Sequence, residues 1–201
     1  GLGDDSYQVE SVGTVIMEHA NEGSDSVVSA VNYALSANVE NLHLLGSAIS
    51  ATGNELANDL YGNGNDNVLD GGAGIDRMDG WRGNDTYIVD NAADSVSEYL
   101  NEGIDTVESS VTYTLTANVE NLVLTGAAAI AGSGNSLNNA ITGNTADNIL
   151  SGGGGADTLR GGAGNDSLLG GLGGDTYVYN PGDGNDLIVE TDSAAGDSDM
   201  L

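Results

Sequence analysis

A nine-residue, glycine-rich motif recurs in register along this chain, and no other feature of the sequence restricts the fold as tightly. Rungs begin at Gly53, Gly62, Gly71 and Gly80, and again at Gly134, Gly143, Gly152, Gly161 and Gly170. The clearest are GGAGIDRMD from Gly71, GGGGADTLR from Gly152 and GGAGNDSLL from Gly161. They fit G-G-x-G-x-D-x-U-x, with U a large apolar residue. A second, much longer repeat encloses the arrays. ANVENLHLLG from Ala37 returns as ANVENLVLTG from Ala117, EGSDSV from Glu22 as EGIDTV from Glu102, and GDDSYQV from Gly3 as GNDTYIV from Gly83. Each copy is a spacer followed by an array, the second array being one nonapeptide longer. Such periods belong to solenoids, because one rung cannot bury its apolar face alone and stacked rungs share a continuous core.

If two rungs make one coil, six residues of each rung turn and three form a short strand. Glycines at positions 1, 2 and 4 permit positive φ and let successive turns stack with carbonyls aimed at one point. Position 8 points inward and is filled by Leu60, Leu69, Met78 and Tyr87, then by Ile141, Leu150, Leu159, Leu168 and Tyr177. Position 6 carries the charge. Parallel coils repeat about 4.8 Å apart, so Asp residues eighteen positions apart stack at roughly that distance and repel when bare. A calcium ion with oxygen ligands at about 2.3–2.6 Å fits between them, turn carbonyls completing its shell, whereas magnesium demands about 2.1 Å and a rigid octahedron. Eighteen-residue partners on one edge are Asp157 with Asp175 and Asp76 with Asp94; the other edge holds Asp85 and Asp166. The opening rungs carry Asn58, Asn67, Asn139 and Asn148 at position 6, where a neutral oxygen predicts weaker calcium binding or a capping role. Trp81 stands where a position-2 glycine is expected, and the rung from Gly62 has Asn65 at position 4.

Composition narrows the chemistry. Asp and Glu total 31 against three cations, Arg77, Arg82 and Arg160, for a net charge of −28. Nucleic acid and anionic lipid need a basic face and are excluded as partners. Leu, Ile and Val make up about 22% of the chain, with no Phe, barely above the roughly 20% below which highly charged chains stay disordered. Something other than apolar burial must help the chain fold. With no Cys, disulfides are excluded, which leaves carboxylate oxygens and hard cations. No apolar run reaches the 18 or so residues of a membrane span, and GLGDDSYQVE lacks a basic region followed by a hydrophobic stretch. A soluble chain without membrane insertion is expected. Opening inside a rung at GLGDDSY and stopping at SDML, it reads as part of something longer.

The nonapeptides resemble those of the RTX (hemolysin-type calcium-binding) family of secreted bacterial proteins. That resemblance implies an all-β fold, a right-handed parallel β-roll or β-solenoid with several Ca2+ ions in the glycine-rich turns. It carries ligand status onto Asp76, Asp85, Asp157, Asp166 and Asp175, with Asp94 as the partner of Asp76. Asp5, Asp25, Asp105 and Asp186 are further sites, each ending an EGxD, GDGND or GxGxD turn. Gly72, Gly74, Gly83, Gly153, Gly155, Gly162, Gly164 and Gly173 stand in the same turns and complete the expected metal-binding set. The chain divides into the end of a rung plus a strand-rich spacer (1–52), a first array (53–89), a second spacer (90–133) and a second array with a C-terminal turn (134–201). In the spacers, V-x-Y-x-L and N-L-x-L alternate with the period of strands. No segment shows a helical period, and the spacers are expected to form broader β-coils continuing the solenoid.

Tyr7, Tyr87 and Tyr177 each close an array at the inward position. His19 and His43 stand alone. Glu40 and Glu120 recur in VENL and have the look of a glycosidase pair, but they lie one repeat apart at equivalent positions. There is no serine elbow, no HExxH and no phosphate loop, so the chain is expected not to be an enzyme. The resemblance implies export through a type I secretion channel, folding outside the cell where calcium is near millimolar, and the neighbouring domains of a parent chain as partners. Two other readings stay open: a module that binds polysaccharide, by resemblance to modules of alginate epimerases, and a C-terminal secretion or folding appendage of a secreted enzyme.

Overall fold

The computed structural model describes residues 1–190; the last part of the expected C-terminal segment, residues 191–201, lies outside the described residues. All its regular elements are strands, and every strand pair within each unit is parallel. The chain forms two compact units that divide between Ile104 and Asp105, inside the second spacer.

In the first unit, β1 (Ser6–Val9), β2 (Ser26–Ser29), β4 (Asn41–Leu44), β6 (Asp59–Asn63), β8 (Arg77–Trp81) and β10 (Ser95–Ser97) stack in that order as one sheet. The intervening β3 (Tyr33–Ala34), β5 (Ser50–Thr52), β7 (Val68–Asp70) and β9 (Thr86–Val89) stack as a second. In the second unit β11 (Thr106–Ser109), β13 (Asn121–Leu124), β15 (Ala140–Thr142), β17 (Thr158–Arg160) and β19 (Thr176–Tyr177) form one sheet. Its other sheet contains β12 (Tyr113–Thr114), β14 (Ala131–Ser133), β16 (Ile149–Gly154), β18 (Ser167–Leu172) and β20 (Leu187–Val189). Strands alternate between sheets along the chain, so each unit is a β-solenoid.

Array coils are two rungs long: Asp59 lies opposite Arg77, Val68 opposite Thr86, and Ile149 opposite Ser167. Spacer coils vary, with Ser6 opposite Ser26 but Ser26 opposite Asn41, and Thr106 opposite Asn121. The spacers therefore continue the stack as expected, yet the VENL coil, which runs from Ser26 to its partner Asn41, is shorter than an array coil, not broader. Turns can differ in length because only the strands must stay in register to share a core. V-x-Y-x-L contributes only the two-residue strands β3 and β12; the following Leu35 and Leu115 still donate their N–H groups to Thr52 and Ser133 carbonyls and remain buried.

Val27, Leu42, Leu60, Met78 and Val96 form one apolar column in the first unit, and Val107, Leu122, Ile141, Leu159 and Tyr177 its counterpart in the second. All are buried, each large aliphatic side chain contributing about 1.5–3 kcal/mol. Every residue expected at position 8 of a rung is inside. Tyr7 differs from Tyr87 and Tyr177 in being half-buried, because β1 is the outer strand of its sheet and has a neighbouring coil on one flank only.

Candidate metal centre

Position-6 side chains of successive coils form ladders along the turns. In the first unit the Asp5 N–H donates to Asp25 Oδ1 (2.8 Å) and the Asp25 N–H to Glu40 Oε2 (2.8 Å). The Asn58 N–H donates to Asp76 Oδ1 (2.8 Å) and the Asp76 N–H to Asp94 Oδ1 (3.0 Å). The second unit repeats this: Asp105 N–H to Glu120 Oε2 (2.9 Å), Asn139 N–H to Asp157 Oδ1 (2.7 Å), and Asp157 N–H to Asp175 Oδ1 (2.9 Å). On the opposite edges, Asn67 donates to Asp85 (2.6 Å), Asn148 to Asp166 (2.7 Å) and Asp166 to Asp186 (3.0 Å). Asp5 and Asp186 are half-buried, whereas Asp25, Asp94 and Asp105 are buried. Glu40 and Glu120 occupy ladder places, the longer side chain serving the shorter coil. The interval of eighteen from Glu40 to Asn58 was the signal that could have placed Glu40 there.

The ladder uses one oxygen of each aspartate. The other oxygen, Oδ2, of Asp76, Asp157 and Asp166 is buried with no hydrogen-bond partner. These oxygens face the position-1 glycines. A Cβ on Gly71 would lie 2.5 Å from Asp76 Oδ2, and one on Gly152 would strike both Asp157 Oδ2 and the Gly170 carbonyl of the next coil. Only glycine leaves room for a carboxylate and a neighbouring carbonyl to converge there. The eight turn glycines of the expected set all hold positive φ, and a Cβ on Gly74 or Gly155 would meet the Leu56 or Leu137 carbonyl of the adjacent coil.

Burial pushes the Asp76 and Asp157 carboxyls up to about 6, with the charges of Asp94 and Asp175 adding to it and the ladder N–H groups of Asn58 and Asn139 pulling back. Asp166 is raised in the same way, by burial first and then by Asp186, Asp147 and Asp183. Among the described residues no arginine salt bridge reaches these carboxylates. Buried anionic oxygens need a compensating partner, and oxygen donors without thiolate or imidazole suit a hard cation such as Ca2+. The residues present fit that ion.

The opening rungs solve the same problem with amides. Asn58 Oδ1 accepts the Asn54 N–H (2.7 Å), and Asn58 Nδ2 donates to the Val39 and Glu40 carbonyls (3.1 Å each). Asn54 Nδ2 donates to Ser36 O (2.8 Å) and Val39 O (2.7 Å). Asn135 and Asn139 do the same to Thr116, Val119 and Glu120. Asn63 with Asn67, and Asn144 with Asn148, repeat the arrangement on the other edges. Sequence reasoning found the position-6 asparagines but missed those at position 2, whose signal is the pair of Asn at positions 2 and 6 of one rung. Asp94 also differs from Asp76, since its Oδ2 accepts the Asn91 N–H (3.1 Å); Asp183 accepts from Asn180 (2.7 Å) in a matching turn.

Each array is closed by a tyrosine. Tyr87 Oη accepts the Gly80 N–H (2.8 Å) and donates to Glu98, while Tyr177 Oη accepts the Gly170 N–H (2.9 Å) and donates to Glu190. Burial, then the glutamate, raises both phenols. Tyr7 donates to Glu18, and Asp5, Glu18 and Asp25 each offer an oxygen within 4.8 Å of the others. These glutamates lie one turn beyond their tyrosines and were not anticipated. Gly3, though glycine, was not among the expected turn residues and holds φ of 105° before Asp5.

Residues 52–95 and 142–177 match the family model of the RTX calcium-binding nonapeptide repeat (4 copies). Two curated relatives from Rhizobium meliloti (strain 1021) are similar. One is Endo-1,3-1,4-beta-glycanase ExsH, 38% identical over 93 residues, or 46% of this chain and 19% of that protein. The other is Endo-1,3-1,4-beta-glycanase EglC, 38% identical over 84 residues, or 41% of this chain and 18% of that protein. The chain spans about a fifth of the length of these relatives.

Proposed function

We propose that this chain, whose two arrays carry RTX calcium-binding nonapeptide repeats, is a structural segment of a larger secreted or cell-surface bacterial protein, folded by calcium after export. The observation that carries this reading is the unpartnered, buried Oδ2 of Asp76, Asp157 and Asp166 in a chain of net charge −28. Those three aspartates, with Asp94, Asp175 and Asp186 in the same ladders, Asp85 on the opposite edge of the first array and the carbonyls of the glycine turns, would hold the ions. Calcium supplies positive charge between coils that the chain lacks. Asn58, Asn67, Asn139 and Asn148 close the arrays against the spacers as amide caps in place of metal ligands.

Because the donor sets exist only when coils are stacked, ion binding becomes folding free energy. A chain with few free calcium ions around it stays expanded and can be exported; millimolar calcium then folds it. Repetition gives each rung the same groups and provides no single place where acid, base and nucleophile converge, so the glycanase activity of the relatives is not carried over to this segment. Its partners are calcium and the neighbouring domains of the parent protein. The test is circular dichroism of the chain at neutral pH with chelator and then with millimolar calcium. Expanded, weakly structured chain that gains β signal on adding calcium is expected; a full β spectrum in chelator would overturn the reading.

A further inference from the structure

The two units share their arrays but not the outward face of the sheet that flanks them. In the first unit the register places His43 opposite Tyr61, Tyr61 opposite Asp79, and Asn63 opposite Trp81. The corresponding row of the second unit is Val123, Thr142 and Arg160, with Gly162 in the place of Trp81. The solenoid therefore does not require the aromatic row. His43 and Tyr61 stack with ring centroids 4.3 Å apart and planes 8° from parallel. Trp81 lies one strand further and two residues along, a diagonal neighbour within reach of aromatic side chains.

Trp81 is also a misfit in its own turn. It holds φ of 72°, the value Gly72 adopts one rung earlier, and a bulky side chain in left-handed backbone is strained. The indole fills no core position and is 56% exposed. Next to it, Asp79 is only 5% exposed, accepts the Trp81 N–H, and leaves Oδ1 with no hydrogen-bond partner. The row thus combines a flat aromatic surface, a strained exposed indole and a buried acceptor lacking a donor. None of these residues belongs to the calcium ladders.

We propose that His43, Tyr61, Asp79 and Trp81 form a binding site for a neutral glycan. Pyranose rings present C–H-rich faces that pack on aromatic rings, which carry large apolar area with little side-chain entropy to lose. Their hydroxyls supply the donor that Asp79 Oδ1 lacks as neighbouring side chains part. Charge selects against an acidic polymer. The chain carries −28, Arg77 on this face lies opposite Asp59, and burial lowers the pKa of His43, leaving that ring neutral at pH 7. This assignment adds to the calcium-dependent role and is independent of it.

Trp81 is the single tryptophan, so intrinsic fluorescence reads the site directly. The whole chain in millimolar calcium is titrated with a mixed-linkage neutral β-glucan oligosaccharide and, separately, with oligogalacturonate of matching length. A saturable fluorescence change with the β-glucan and none with oligogalacturonate is expected. The double variant His43→Val, Tyr61→Thr, which installs the residues of the second unit, lowers the affinity at least tenfold while the calcium-induced β spectrum is unchanged. Trp81→Gly restores the residue of the sister turns, so it keeps the fold, and it abolishes the heat of binding in calorimetry. No saturable change with β-glucan, binding unaltered in both variants, or equal binding of oligogalacturonate would overturn the proposal. A failure of calcium-dependent folding would appear separately, in the dichroism.

Discussion

Protons should replace calcium. In the folded chain Asp76 and Asp157 have carboxyls pushed up to about 6 from an ordinary 3.8, first by burial. A folded-state value above the unfolded one means that the fold binds protons more tightly than the open chain does. The resulting stability is complete below about pH 4 and is lost as pH rises through about 6. Two pKa units correspond to about 3 kcal/mol per group, and roughly halving this for solvent screening in such thin turns leaves about 3 kcal/mol for the pair. That is a large part of a total stability of about 5–15 kcal/mol. Far-UV circular dichroism in chelator, scanned from pH 8 to pH 4.5, should show β signal rising as pH falls through about 6. With saturating calcium the same scan should start high, because the ion already neutralises both carboxylates. The double variant Asp76→Asn, Asp157→Asn should gain up to about 3 kcal/mol at pH 7 in chelator and lose much of the pH dependence. A chelated wild-type signal that stays flat, or that falls on acidification, would refute the reasoning.

Other consequences are local. Asp157→Ala should weaken calcium affinity at least tenfold in a calcium titration. Asn139→Ala should leave that affinity close to wild type yet lower thermal stability by about 1–3 kcal/mol, since it leaves the Asn135 N–H without its acceptor and removes one of the donors to each of the Val119 and Glu120 carbonyls; equal losses of calcium affinity would contradict the cap assignment. Gly152→Ala drives a Cβ into Asp157 Oδ2 and Gly170 O and should cost about 1–3 kcal/mol, measured by thermal unfolding in calcium. Tyr87→Phe removes the acceptor of the Gly80 N–H and the donor to Glu98; it should destabilise the calcium-loaded chain by about 1–3 kcal/mol without changing its calcium stoichiometry in a titration.

The nine-residue period by itself determined the coil length of the arrays, the inward column from Leu60 to Met78 and from Ile141 to Tyr177, and the Asp positions on the turn edges. Those features repeat at a constant interval, so local strand alternation and counting suffice to place them. Glu40 stands eighteen residues before Asn58, but that Glu40 and Glu120 accept from Asp25 and Asp105 was decided only by the folded chain, because the coils they close are shorter than two rungs and break the arithmetic of nine. The carbonyl partners of the second asparagine of each cap and the tyrosine–glutamate closures were likewise invisible in the sequence, whereas His43, Tyr61 and Asp79 keep the eighteen-residue interval and only the stacking of His43 on Tyr61 was decided by the fold. The closure and cap partners sit on neighbouring turns, at intervals that differ between the two copies. Such contacts exist only once parallel stacking has fixed the register, and the register of a spacer is set by how its strands share the core, which no fixed interval encodes.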